Sequence, residues 1–360
     1  MCLRSVYKVI FAVAWMLFAS VAHAGFQDVL DTPAMKSTLA DKSFLNGIAI
    51  AGKRIVCVGW RGHIIYSDDR GKNWEQASVP VSSDLVAVYF PSPQQGWAVG
   101  HDGIVLHSTD AGNTWEKQLD GRSAIQVMAG YYAKCPAAGS SGDDVEAENP
   151  LSGIIGRYGE EGADKPFLDV WFENETTGFI IGAFNLIFRT TDGGRNWEPW
   201  FDRTDNPELL HLYAIRPAGK DIFIVGEMGL ILKLDREAGR FRAIDTPYEG
   251  SFFGITAKPA TVIVFGLRGN AFRSQDGGGT WDRIETEVPV GLTSGTVTED
   301  GRIILVSQGG HVIMSSDEGV RFTSSELEIP FPMNAVASLD KSTLVFAGPY
   351  GVQIVPINCD

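Results

Sequence analysis

Short apolar runs such as Ile55-Val56-Cys57-Val58 and Trp97-Ala98-Val99 recur along the chain, each ending in a glycine-bearing turn and followed by a polar box. Runs of that length, bounded by turn residues, read as buried strands. The turns begin at Gly59, Gly100, Gly182, Gly226, Gly266, Ser307 and Gly348, with spacings of 41, 82, 44, 40, 41 and 41 residues. A period near 40 with several short strands per unit predicts an all-β fold, a β-propeller of seven four-stranded antiparallel blades. The doubled spacing holds an insertion at about residues 121–166, after which Leu168-Asp169-Val170-Trp171-Phe172 restarts the inner-strand pattern of Val86-Ala87-Val88-Tyr89-Phe90.

The last unit has room for three strands only. Phe26-Gln27-Asp28-Val29-Leu30-Asp31-Thr32-Pro33 reads like the outer strand Phe241-Arg242-Ala243-Ile244-Asp245-Thr246-Pro247. The N-terminal segment is therefore expected to complete the last blade and close the ring, leaving few open strand edges.

Five of the polar boxes are nearly complete: Ser67-Asp69-Gly71-Trp74, Ser108-Asp110-Gly112-Trp115, Thr190-Asp192-Gly194-Trp197, Ser274-Asp276-Gly278-Trp281 and Ser315-Asp317-Gly319-Phe322. Their chemistry is local. The carboxylates Asp69, Asp110, Asp192, Asp276 and Asp317 can accept backbone N–H bonds in a tight turn, while the aromatic ring packs between blades, so these residues are assigned structural roles. The boxes resemble the Asp-box (bacterial neuraminidase) repeat. Together with Gly96-Trp97-Ala98-Val99-Gly100, Gly103-Ile104-Val105 and Ser108-Thr109-Asp110, they resemble the photosystem II assembly and stability factor family of plastids and cyanobacteria and its non-photosynthetic bacterial relatives. The resemblance spans roughly residues 26–356. It implies a propeller that helps assemble or stabilise a membrane protein through an exposed face.

The first 24 residues carry Arg4 and Lys8, an apolar stretch from Val9 to Val21, and Ala22-His23-Ala24. That order is the pattern of a signal peptide cleaved after Ala24, with no lipobox before the cut, and implies a periplasmic protein of residues 25–360 that does not itself span the membrane. Its loss takes away two basic residues and no acids, so a net charge of −14 becomes −16. A charge of that sign repels nucleic acid and anionic lipid. The remaining cysteines, Cys57, Cys135 and Cys359, are too few and too scattered to predict a disulfide.

Strand order places the glycine turns on one face of the ring and the Asp turns on the other. The glycine-turn face gathers Trp60, Arg61, His101, Asp102, Phe184, Glu227, Met228, Arg268 and Tyr350. Large apolar groups beside arginine have the composition of a protein-binding surface, although an accidental mixture of exposed turn residues reads the same way. In the photosynthetic relatives a basic patch is implicated; here only Arg61 and Arg268 are basic, which points to another client. The insertion begins on this face and passes through a Gly-rich acidic stretch, either a flap over the face or a tolerated loop. Its acids Asp143, Asp144, Glu146 and Glu148 lack the spacing that wraps calcium, so no metal is expected there.

Hydrolysis is the rival class, since Asp-box repeats occur in sialidases. The arginine triad, the Tyr nucleophile and the paired carboxylates of such a site have no counterpart: Asp169 is the one carboxylate near the upper ends of the inner strands, and it reads as a buried partner of Tyr213. The histidines form no metal-binding group, no Gly-x-Ser-x-Gly segment is present, and no cofactor is implied. The sequence thus predicts a non-catalytic scaffold, monomeric alone, serving an envelope or inner-membrane protein complex such as a transporter. The alternatives are a glycoside hydrolase, or a glycan- or lipid-binding module using Trp60, Phe184 and Tyr350.

Overall fold

The structure is a computed structural model that describes residues 27–134, 151–325 and 330–357. Seven antiparallel sheets stand around a central channel. Blade 1 runs outward through Leu45–Ala51, Arg54–Gly59, Ile64–Ser67 and Glu75–Gln76. The inner strands of blades 2–7 are Leu85–Tyr89, Phe167–Phe172, Leu212–Ala218, Phe252–Lys258, Leu292–Val297 and Ala335–Asp340. The seven blades read from the sequence are all present.

Each second strand is buried on both sides, and its alternation divides it between two neighbours. Ile55 and Cys57 pack with Val345 and Ala347 of blade 7, whereas Val56 and Val58 pack with Ala98 and Leu106 of blade 2. The core therefore lies between blades, and no blade is apolar-covered without the next. Cys57 is buried and free, and burial pushes its thiol well above the ordinary value. The readings of Cys135, Cys359, the acidic stretch at 143–148 and the leader fall outside the described residues.

At the head of each blade the chain crosses itself. A Cβ on Gly59 would lie 2.1 Å from the carbonyl oxygen of Phe44, and at Gly100, Gly182, Gly226, Gly266 and Gly348 the matching distance is 2.1–2.3 Å. In blades 1–5 the residue after the glycine donates its N–H to that same carbonyl, as Trp60 does to Phe44 at 3.0 Å, His101 to Asp84 at 2.8 Å and Leu267 to Ser251 at 3.0 Å; in blade 7 that residue is Pro349, which has no N–H to give. Blade 6 makes the same bond from Gln308 to Gly291 (3.0 Å) with Ser307 in place of glycine. The Ser307 hydroxyl turns inward, accepting the N–H groups of Gly309 and His311 and lying 2.9 Å from His311 Nδ1. This Ser–His pair is fully occupied by the turn, and Ser307 has no exposed surface.

The Asp turns on the opposite face behave as their chemistry requires. Asp69 Oδ1 accepts the Ser67 hydroxyl (2.9 Å) and the Asn73 N–H (2.9 Å), and Asp276 Oδ1 accepts Ser274 (2.8 Å) and the Thr280 N–H (2.9 Å). Asp110, Asp192 and Asp317 repeat the arrangement with Thr114, Asn196 and Arg321. Donors aimed at the ionised form hold Asp69 and Asp276 down at about 2.

Ring closure departs from expectation. The last sheet has three strands, Ala335–Asp340, Thr343–Gly348 and Gly351–Pro356, and the N-terminal segment does not add a fourth. Asp28 instead caps a single 3-10 turn, Val29–Asp31, and Leu30 is buried between blades 1 and 2 beside Val79, Val81 and Trp115. The segment is tied elsewhere, by packing of Leu30 and by a long-range ion pair: Asp31 is forked by Arg122 (2.9 and 3.0 Å), with Lys117 at 3.5 Å, which anchors it at blade 2. The chain then follows the rim of blade 1 and sets a second 3-10 turn, Ala40–Lys42, against Gly351 of blade 7.

What joins the ends lies at the centre. The Asn334 side-chain amide of blade 7 donates to the Leu45 carbonyl of blade 1 (3.0 Å), Asn46 of blade 1 donates to Leu85 of blade 2 (2.8 Å), and Thr293 of blade 6 donates to Met333 of blade 7 (2.6 Å). Asn334→Leu is expected to cost about 1–2 kcal/mol in urea unfolding, because it leaves the Leu45 carbonyl without its donor. No loss would show that apolar packing alone holds the seam. For the Asp turns, carboxylates depressed in the folded state give stability that is present above their unfolded pKa, about 4, and lost as pH falls through about 2. The doubly substituted Asp69→Asn/Asp276→Asn protein should show a flatter decline of the urea midpoint across that interval, and an unchanged slope would remove these turns from the acid response.

Candidate functional site

Each of the first five second strands leads into a 3-10 turn: Trp60–Gly62, His101–Gly103, Ala183–Asn185, Glu227–Gly229 and Leu267–Gly269. The middle residue of every one is left-handed and none is glycine: Arg61, Asp102, Phe184, Met228 and Arg268 lie at φ 57°, 57°, 53°, 51° and 55°. A Cβ in that region costs about 1–2 kcal/mol per residue relative to the right-handed conformation. Arg70, Ala111 and Glu318 in the Asp turns of the opposite face are left-handed as well (φ 62°, 60° and 60°), so what sets this face apart is its side chains and not its backbone.

The middle residues mix Arg61, Asp102 and Arg268 with Phe184 and Met228, and the turns as a whole add further apolar groups. Among the described residues eight large hydrophobic side chains are exposed, and five stand on these turns and their blade 7 equivalent: Trp60 48%, Phe184 43%, Met228 62%, Leu267 40% and Tyr350 68%. Trp60 is supported by Phe44, stacked at 4.3 Å with 6° between the planes, and the Arg61 N–H donates to Asp84 of the next blade (2.7 Å). Phe184 and Glu227 are brought together through His211, whose Nδ1 accepts the Phe184 N–H (3.2 Å) and whose own N–H donates to Glu227 Oε2 (2.8 Å). His101, Asp102, Arg268 and Tyr350 occupy the separate turns of blades 2, 5 and 7.

The channel beneath has a volume of about 460 Å³. In six blades a β-bulge near the head of the inner strand leaves one residue unpaired, and Asn46, Val86, Leu168, Tyr213, Phe253 and Thr293 consequently line the mouth. The mouth is two-sided: Val86, Leu168, Tyr213 and Phe253 form an apolar arc, and Thr293, Asn334 and Asn46 a polar one.

Asp169 is buried, but its partner is not Tyr213. Its oxygens accept the N–H of Ile215 (2.8 Å), the N–H of Val170 (2.9 Å) and Arg216 Nη1 (2.5 Å). Burial pushes the carboxyl up from its ordinary value, against Arg216 and then the two backbone donors. Ser294 does the same work between blades 6 and 7, accepting the Val336 N–H at 3.2 Å from the equivalent position. Asp169 is therefore a blade-to-blade link with a counter-ion added. Sequence reasoning missed Arg216 because nothing in the chain marks which residue of the next blade a bulge will reach.

The insertion, read as a flap or a loop, is helical where described. Helix α1, Gly121–Tyr132, starts at a capping box in which Asp120 Oδ1 accepts the Ser123 N–H (3.0 Å) and Ser123 Oγ accepts the Asp120 N–H (3.0 Å). Helix α2 is Leu151–Glu161. Their inward residues Met128, Tyr132, Ile155 and Tyr158 are buried against Leu186, Trp197 and Phe201 of blade 3. The pair clamps the outer rim, and its described residues do not line the channel mouth. It reaches the glycine-turn face at two blades: Gly121 packs closely on Gly103 in the turn of blade 2, and at blade 3 Tyr158 donates to the Phe184 carbonyl (3.3 Å), while Lys165, held by Glu161 and Asp164 at 2.6 Å each, lies 5.8 Å from the Phe184 ring centre.

Fold and face together define a seven-bladed β-propeller whose projecting turns ring a central channel. The chain belongs to the photosynthesis system II assembly factor YCF48 family, whose sequence pattern matches residues 29–124 and 160–326. The unmatched residues 125–159 contain most of both helices. Over 156 residues, 42% of this chain and 46% of the relative, it is 25% identical to the photosystem II assembly lipoprotein Ycf48 of Synechococcus sp. (strain CC9902). The chain thus spans about half the length of that curated relative. A structure of YCF48 bound to D1 peptide superposes with a TM-score of 0.63 at 15% identity, covering 91% of this chain and 99% of that one. Virginiamycin B lyase from Staphylococcus aureus follows at 0.61 and 12% identity, covering 88% of this chain and 95% of that one, so the same fold also carries an enzyme.

If Asp169 is a junction element, Arg216→Ala alone should cost about 3 kcal/mol by leaving a buried carboxylate uncompensated. Adding Asp169→Ser copies the junction of blades 6 and 7, where Ser294 faces Val336 and Ala337, and should recover most of that loss in denaturant titrations. A double variant as unstable as the single one would refute the equivalence.

Proposed function

We propose that this protein is a non-catalytic scaffold that assists the assembly of a membrane protein complex, with the glycine-turn face as its docking surface. The observation that carries the reading is that, among the described residues, five of the eight exposed large hydrophobic side chains stand on this face. Family membership supports it: the Synechococcus relative is named an assembly lipoprotein, and YCF48 has been solved with a peptide of D1. The channel supports it too. Its carboxylate is bonded on both oxygens, whereas glycoside cleavage of the usual kind needs two carboxylates facing one bond.

We place the protein in the periplasm as residues 25–360 after removal of the leader, with an envelope or inner-membrane complex, such as a transporter, as client. Among the described residues no helix is long and apolar enough to cross a membrane. The charge of −14 and the isolation of Arg61 and Arg268 on the face favour a client other than a photosystem.

The test is affinity purification of the tagged mature protein from gently solubilised envelopes. Wild type should recover a membrane protein near stoichiometry, and Trp60→Ala/Met228→Gly should lose it about tenfold, a loss typical of removing an interfacial anchor. Val320→Ser, on the Asp-turn face, should recover it fully. Met228→Gly should at the same time leave stability unchanged or raise it by up to about 1 kcal/mol, since glycine relieves the left-handed backbone. Equal recovery by all three proteins would put the docking surface elsewhere, and recovery of no protein would favour a glycan or other small ligand.

A further inference from the structure

Four aromatic rings follow one another from the turn of blade 3 to the channel mouth. Phe184 meets His211 at 4.5 Å and 72°, His211 meets Tyr213 at 6.2 Å and 62°, and Tyr213 meets Phe253 at 5.7 Å and 86°. Tyr213 and Phe253 are bulged residues, turned into the opening by the same register shift that places Asn46 on the far side. Phe184 is exposed, and the other three are half-buried. Steeply angled rings around one opening make a partial cage, and ring faces carry negative potential.

Glu227 stands behind this row. Its carboxylate accepts the His211 backbone N–H at 2.8 Å and lies close enough to Tyr213 to raise the phenol further after burial has done so. His211 Nδ1 is 3.3 Å away, but it accepts the Phe184 N–H and so brings no proton to the carboxylate. The cations nearby are committed elsewhere: Lys165 to Glu161 and Asp164, and Arg216 to Asp169. The corner is left with aromatic walls and a half-buried negative charge that has no cationic partner among the described residues.

We infer that this aromatic and acidic corner receives a cationic side chain, lysine or arginine, from an extended segment of a protein partner. The inference rests on the docking reading above and adds the chemistry of what docks. It also accounts for the placement of Glu227 beside the mouth, where a purely apolar contact surface gains nothing from a desolvated carboxylate.

The probe is an array of nonapeptides whose central residue is arginine, lysine, citrulline or norleucine and whose flanking positions are equimolar mixtures. It is read with the labelled mature protein at physiological salt. Arginine and lysine sets should retain about ten times more protein than citrulline and norleucine sets, the scale of one desolvated cation–π and charge contact. Glu227→Gln keeps the acceptor for the His211 N–H and should erase the preference, as should Phe253→Leu. Glu175→Gln, an exposed acid of blade 3 on the Asp-turn face, should preserve it. Equal retention of the four sets by wild type, no retention of any, or an unchanged preference in Glu227→Gln and Phe253→Leu overturns the inference. Equal retention combined with recovery of an envelope partner that Trp60→Ala/Met228→Gly loses would remove the cation corner and leave the docking face intact. A preference erased by Glu227→Gln without any envelope partner would keep the corner and remove the docking reading.

Discussion

The structure depends on one close crossing, repeated around the ring: the carbonyl that precedes each inner strand lies over the backbone at the end of the second strand. There is no room for a Cβ at Gly59 and the five equivalent glycines, and in six of the seven blades the carbonyl is held by the next N–H. That contact fixes where the inner strand begins. In six blades it is followed by a bulge that frees one residue to face the channel, and in five it precedes a 3-10 turn whose middle residue stands up from the surface. The channel lining and the exposed face are therefore two products of the same local geometry, one residue pair apart in space.

A propeller also has to join its first blade to its last, and here the join is central rather than peripheral. Outer strands vary from five residues, Arg240–Ile244 in blade 4, to two, Glu75–Gln76 in blade 1 and Glu198–Pro199 in blade 3, and blade 7 has none among the described residues. The inner strands are crowded together, and side-chain amides there can span neighbouring blades. The bonds of Thr293, Asn334 and Asn46 occur in succession across the seam, which is why the polar arc of the channel mouth coincides with it. On the opposite side, where chain connectivity is uninterrupted, the same positions carry Val86, Leu168, Tyr213 and Phe253.

Blade number, strand order and the roles of the Asp turns were legible in the sequence because glycine at a crossing and Asp in a tight turn are local requirements that repeat with the period. Features set by contacts between distant residues were not. The segment after Phe26 has the alternation of an outer strand, but its path follows from Asp31 meeting Arg122, 91 residues away. The bulges that turn Tyr213 and Thr293 into the channel leave no mark in composition. The helices of the insertion were obscured by Gly121, Gly130, Gly153, Gly156 and Gly159, although Asp120 followed by Ser123 was a visible capping signal. The glycine-turn residues occupy the turns that the repeat placed them in, while the cluster of His211, Tyr213 and Phe253 with Glu227 became apparent only in three dimensions.

The bond from Asn334 to Leu45 joins residues 289 positions apart. Ordering so much intervening chain carries the largest loop-closure entropy in the ring, so the seam is expected to form last, after the individual blades and their local turns. Until then the buried faces of blades 1 and 7, with Ile55, Cys57, Val345 and Ala347, are open to solvent and to other chains. A propeller sealed in this way has an assembly order written into it: the blade made first keeps an apolar face uncovered until the strands of residues 335–356 are in place.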